Sequence, residues 1–221
     1  APLFLLLLSS FALAHGVADS DAEFLERQSG LALAAFTYLG AKHMVTGYDH
    51  LLYLLAVIFF LYRLRDVALY VTMFAVGHSI TLLAGVISGI DVNPFFVDGI
   101  IGLSIVYKAF ENLGGFQRVF GVTPNQKVAV FGFGLIHGFG LATKLQDLAL
   151  SQEGLIGNML AFNVGVELGQ LLALSLLVLL VVTLRSSRHF ARYAGALNVL
   201  LMFAGFTLAA QQFAGLAYAP V

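Results

Sequence analysis

His43, Asp49 and His50 fall within one eight-residue stretch, His43-Met-Val-Thr-Gly-Tyr-Asp49-His50. Residues seven apart on an unbroken helix share a face, so both imidazoles would lie together with the carboxylate beside them. Two imidazoles and a carboxylate suit a borderline divalent ion such as nickel, cobalt or zinc. The competing use of the same groups is interhelical hydrogen bonding. Neutral imidazole and ionised carboxylate are the ligating forms, so a site of this kind weakens in acid.

Further groups of the same kind follow. His78 lies in Gly77-His78-Ser79 and His137 in Ile136-His137-Gly138. Either alone reads as a packing histidine. Counted along their helices, however, His50, His78 and His137 fall roughly 14–18 Å from one end, the middle of a hydrocarbon core. Three histidines at one depth on three segments describe one site. Asn163, Glu167 and Gln170 follow at i, i+4 and i+7 on a common face, and Glu167 needs a cation, a proton or a donor. Gly165 and Gly169 make a small-xxx-small pair suited to close helix packing. Lys108 and Glu111, three apart, read as a structural ion pair. Lys42 and Lys144 read as snorkelling or paired. The metal-ligand candidates are thus His43, Asp49, His50, His78, His137 and Glu167, with Asn163, Gln170, Glu111 and Lys108 as supporting polar groups.

The elements holding these residues are set by composition. Of 221 residues, 60% are hydrophobic and only 10% charged. A soluble domain carries about 25% charged residues, so the solvent is largely lipid. The fold expected is an all-α polytopic transmembrane bundle. Ionisable groups are expensive there unless paired or functional. Net charge is −1, without a basic face for nucleic acid. The absence of cysteine excludes disulfides, thiolate zinc sites and iron–sulfur clusters, and four scattered methionines are a poor basis for Cu(I). No zincin, Walker or nucleophile-elbow signature points to an enzyme.

Apolar segments long enough to span run over Val67–Ile90, Pro94–Leu113, Val128–Leu145, Leu155–Leu184 and Tyr193–Phe213. Leu31–Tyr62, about 48 Å as one helix, exceeds one crossing and is short for two. The positive-inside rule favours one crossing, bent or partly re-entrant near Gly47. Arg63, Arg65, Arg118, Lys127, Arg185, Arg188 and Arg192 then share the cytoplasmic side, and the acidic turns the other. Six crossings result, in one domain over residues 31–215. Residues 1–14 resemble a signal-peptide apolar region, and retaining them would add a seventh crossing. Cleavage there would free His15 as an N-terminal copper chelator. Residues 15–30 are acidic and expected outside the cytoplasm, in a bacterial inner membrane.

His43-x5-Asp49-His50 with Gly47 before the Asp resembles the H-P-x-x-G-x-D-H signature of the HupE/UreJ membrane proteins. Gly77-His78-Ser-Ile-Thr-Leu, Glu111-Asn112, Ile136-His137-Gly138-Phe-Gly140 and Asn163-Val-Gly-Val-Glu167 resemble that family's second branch. The likeness runs from about residue 30 to residue 185. It implies a nickel or cobalt permease, with His43, Asp49 and His50 recognising the metal and His78 and His137 as companions; zinc, iron and manganese stay open. Met44 stands where the signature has Pro, which puts the kink there in question. Two other readings are weighed. One is a non-transporting accessory or sensor subunit of a membrane complex, or a homo-oligomer. The other is a b-type cytochrome in which His78 and His137 hold haem.

Overall fold

The computed structural model describes residues 30–90, 92–146 and 153–218. The signal-like segment, His15, the acidic stretch through Arg27, Asp91 and Asp147 lie outside the described residues. All regular structure among those described is helical: α1 (Leu33–Thr46), α2 (Tyr48–Ile58), α3 (Leu64–Ser88), α4 (Pro94–Asn112), α5 (Gly115–Phe120), α6 (Gln126–Gln146), α7 (Leu155–Ser186) and α8 (Phe190–Tyr218).

Four of these, α3, α6, α7 and α8, are long and apolar enough to cross a membrane. The six crossings expected from sequence include two segments that fall short of that description. Helix α4 is 19 residues long but carries Asp98, Lys108 and Glu111. Its charges are neutralised internally: Lys108 Nζ lies 2.9 Å from Glu111 Oε2, and Lys144 Nζ of α6 lies 2.6 Å from Asp98 Oδ2. The other segment, Leu31–Tyr62, is broken at Gly47 into α1 and α2, with 14 and 11 residues.

Contacts at both ends fix how the broken pair runs. Asn158, one turn into α7, accepts from Ala32 N at 2.8 Å and donates to Gly30 O at 2.9 Å. At the far end of α7 the Arg185 guanidinium donates to Ile58 O at 2.8 Å, to Leu61 O at 2.7 Å and to Phe59 O. Those carbonyls lie at and just beyond the C-terminal end of α2, where a helix runs short of internal donors; a cation there also meets the negative end of the helix dipole. The Arg185 guanidinium carbon stands 4.3 Å from the Tyr62 ring centre as well. Thus α1 and α2 together run the length of α7 once, parallel to it.

Packing is concentrated in three helix pairs, α1 with α7, α3 with α6 and α4 with α8. Each pair meets on glycine. A Cβ on Gly169 would sit 2.6 Å from Ala41 O, one on Gly77 2.6 Å from Phe131 O, and one on Gly102 2.6 Å from Ala209 N. Between helices in lipid, van der Waals contact replaces the hydrophobic drive, and small residues permit the close approach it needs. Gly165 and Gly169 face α1 together, as their spacing implies. Thr81 Oγ1 adds a bond across the second pair to Leu135 O at 2.6 Å. At the ends, Gly89 closes α3 at φ 61°, and Asn93 caps α4 by accepting from Phe95 N at 2.9 Å, with Pro94 in its first turn.

Candidate metal centre

The break at Gly47 builds the first half of the site. His43 lies in the last turn of α1, and its carbonyl accepts from Gly47 N at 2.9 Å. At Gly47 the backbone turns to φ −73° and ψ 94°, and α2 begins with Tyr48, Asp49 and His50. The helix therefore breaks without a proline after His43; Met44 is instead fully buried in the apolar core. Asp49 in the first turn of α2 is favoured by the positive end of the helix dipole. The two histidines meet across the break, ring centres 5.2 Å apart and edge to face.

The glycine seam between α3 and α6 builds the second half. A Cβ on Gly138 would overlap the His78 carbonyl, so the two backbones touch where their histidines are. The His50 ring lies 5.7 Å from that of His78 and 5.1 Å from that of His137. His43, His50 and His78 each offer a ring nitrogen, and the three nitrogens lie within 4.8 Å of one another. His50 and His137 are 0% exposed and His78 is 1%. Phe74 packs its ring 5.0 Å from that of His137, and Tyr53 packs at 5.2 Å. Phe162 lies 6.2 Å from His43.

Hydrogen bonds assign the tautomers. His50 Nδ1 is 3.2 Å from Asp49 Oδ1; a carboxylate only accepts, so Nδ1 carries the proton and Nε2 holds the lone pair. His137 Nε2 is 3.1 Å from Ser104 Oγ, which donates its own proton to Ile101 O at 2.6 Å. Nε2 therefore donates and Nδ1 is the basic nitrogen. Both ring nitrogens of His78 are buried without a hydrogen-bond partner among the described residues. Leaving a buried polar group unmatched costs about 1–3 kcal/mol.

The other sequence-predicted residues are placed elsewhere. Lys108 and Glu111 form their ion pair near the end of α4, beside Asn112, which donates to Ala56 O at 2.8 Å and Asn198 Oδ1 at 2.9 Å. Asn163 donates within its own helix to Met159 O at 3.2 Å. Gln170 donates to Val71 O of α3 at 3.0 Å. Glu167 is not brought to the histidines: its side chain is exposed and lines a groove of about 250 Å³ between α3 and α7, with Val71, Thr72 and Gln170.

Four neighbours of the site were not singled out from sequence: Ser104, Asp98, Tyr53 and Phe74. A carboxylate one turn after Pro94 in an apolar helix was a readable signal for Asp98. Ser104 carried none, since its importance depends on α4 lying beside α6.

The model of the family described as HupE / UreJ protein matches residues 19–218. No curated protein and no solved structure matches the chain.

Proposed function

The chain belongs to the HupE/UreJ family, and we propose that it is a permease for a divalent transition-metal ion, nickel or cobalt before zinc, iron or manganese. The observation that carries this reading is the convergence of His43, His50 and His78, whose ring nitrogens lie within 4.8 Å of one another. Imidazole nitrogen is the donor these borderline ions prefer. The unmatched nitrogens of His78 fit a ligand role, because coordination would satisfy them.

In this reading Asp49 is a positioning residue. It holds His50 in the tautomer whose Nε2 is basic, the part a carboxylate plays behind a metal-bound histidine. His137, held by Ser104, lies against His50 as the next donor. Ligands about 2.1 Å from a tetrahedral ion stand roughly 3.4 Å apart. Nitrogens within 4.8 Å of one another are close to that spacing, so small side-chain movements would bring them onto an ion. The arginine-bearing ends, with Arg63, Arg65, Arg188 and Arg192, are cytoplasmic by the positive-inside rule. The chain then makes six crossings of a bacterial inner membrane, with α1 and α2 as one.

The haem reading fares badly against the packing. His50 stands within 5.7 Å of His78 and 5.1 Å of His137, and Phe74 lies against His137, which leaves no slot for a porphyrin between the two.

The test is elemental analysis of detergent-purified protein after growth with mixed trace metals, beside His50→Ala. Nickel or cobalt in the wild type, lost in the variant, supports the permease site. Absence from both, together with no uptake into vesicles, moves the reading to an accessory or sensor subunit.

A further inference from the structure

Asp98 and Lys144 form a cross-helix ion pair, on the side of the histidines that the proposed topology makes extracytoplasmic. Asp98 is 7% exposed, so its carboxylate is nine-tenths buried. Oδ2 holds Lys144 Nζ at 2.6 Å, while Oδ1 is buried without a hydrogen-bond partner among the described residues. A carboxylate in a membrane interior normally has both oxygens satisfied. The open oxygen faces Gly140, where a Cβ would lie 3.4 Å from it. Gly140 is one helical turn from His137 on α6, and on α4 Ser104 lies two turns beyond Asp98 and bonds His137 at 3.1 Å. The α4–α6 seam thus carries the carboxylate, then Gly140 packed under Ile101 and Val97, and then a site histidine in sequence.

Resting on the permease reading, we propose that Asp98 is an outer metal-binding residue through which the ion reaches the histidines, and that Lys144 is its resident competitor. Oδ1 receives the arriving ion. A divalent ion is attracted to the carboxylate twice as strongly as an ammonium at equal distance, so it displaces Nζ, and the flexible lysine stem lets the head swing aside. A monovalent ion has no such advantage and is refused. The pair therefore selects for charge before the histidines select for ligand type.

The two halves of the pair then act in opposite directions, which a purely structural bridge does not allow. The experiment is initial Co²⁺ uptake into proteoliposomes at sub-saturating metal, alongside Co²⁺ binding and thermal stability of the purified protein. Asp98→Asn is expected to slow uptake about tenfold, the lower end of the range by which a charged funnel alters on-rates, and Lys144→Met to speed it by less, about threefold. Lys144→Arg, whose guanidinium grips a carboxylate through two parallel bonds, keeps the bridge and is expected to slow uptake about threefold. Equilibrium Co²⁺ affinity at the histidines stays within about twofold of wild type in each. If both neutral variants slow uptake alike in proportion to lost stability, or if Lys144→Arg transports like wild type, the proposal is overturned. A wild type that neither binds nor transports Co²⁺ overturns the permease reading itself, and this proposal with it; normal wild-type uptake lost in His50→Ala but indifferent to the pair overturns this proposal alone.

Discussion

The Nδ1 atom of His50 lies 3.2 Å from Oδ1 of its neighbour Asp49. Adjacent residues on a helix point about 100° apart, so this contact exists only because both occupy the first turn after the Gly47 break. It makes the carboxylate a partner of the His50 ring. Asp49→Asn keeps an accepting oxygen but removes its charge. Metal affinity should fall about 10- to 100-fold, the usual effect of losing such a support, with stability little changed. Competition binding with Co²⁺ checks this; a variant that is less stable yet binds normally would instead favour a structural role.

Gly47 itself is the second test. A Cβ there would lie 3.0 Å from both His43 O and His50 Nδ1, and 3.1 Å from Asp49 Oδ1. The φ of −73° is open to any residue, so the penalty is crowding and not backbone strain. Gly47→Ala should therefore fold, cost about 1–2 kcal/mol, and weaken metal binding by displacing His50. A thermal melt in detergent beside a Co²⁺ titration separates the two effects.

How much of this could be read from the amino acids follows from what each residue depends on. Placing His43, Asp49, His50, His78 and His137 in apolar helices is costly, and that cost is visible without coordinates. The break at Gly47 was also legible, because the stretch is too long for one straight crossing and is interrupted there by glycine. Glu167 marks the boundary of such reasoning. Its spacing with Asn163 and Gln170 is real, but a helical face does not say whether it meets protein or lipid, and here Asn163 and Gln170 are buried while Glu167 is exposed. Asp98–Lys144 and Ser104–His137 join residues 46 and 33 apart in sequence, pairings fixed only by α4 lying beside α6.

Arg185 makes a separate prediction about α2. Its guanidinium meets the carbonyls of Ile58, Phe59 and Leu61, the C-terminal edge of the helix that begins with Asp49 and His50. Arg185→Ala removes these three bonds at the buried end of α2, where Ile58 O keeps only its bond from Leu61 N. A loss of about 2 kcal/mol is expected, the value of hydrogen bonds to a charged donor. Lysine should rescue only part of it, because one ammonium cannot fork across three carbonyls as a guanidinium does. Melting of the three proteins in one detergent gives the order directly.

Acid should inhibit uptake, and the sign follows from ligation alone. Protons and the metal compete for the same imidazole lone pairs, and metal binding releases protons. Falling pH therefore moves the balance toward the proton-bound, metal-free cluster. Vesicle uptake of Co²⁺ should be lower at pH 5.5 than at pH 7, and excess metal should restore it. Equal uptake at both values would count against imidazole ligation.

Glu167→Gln completes the set by testing what the cluster excludes. The carboxylate lines the α3–α7 groove with Thr72 and Gln170 and lies apart from the three converging ring nitrogens. Glutamine keeps the shape and removes only the charge. If Glu167 is outside the site, Co²⁺ affinity of the purified protein should stay within about twofold of wild type, whereas His78→Ala, which removes a ligand, should lower it by an order of magnitude or more, as loss of even a supporting group does. Uptake is the more searching measurement, because a residue met later on the route would spare affinity and slow transport. Normal affinity with normal uptake keeps Glu167 off the ion's path; normal affinity with slowed uptake extends that path along α7; reduced affinity would return Glu167 to the ligand set and require α7 to turn this face inward when metal is bound.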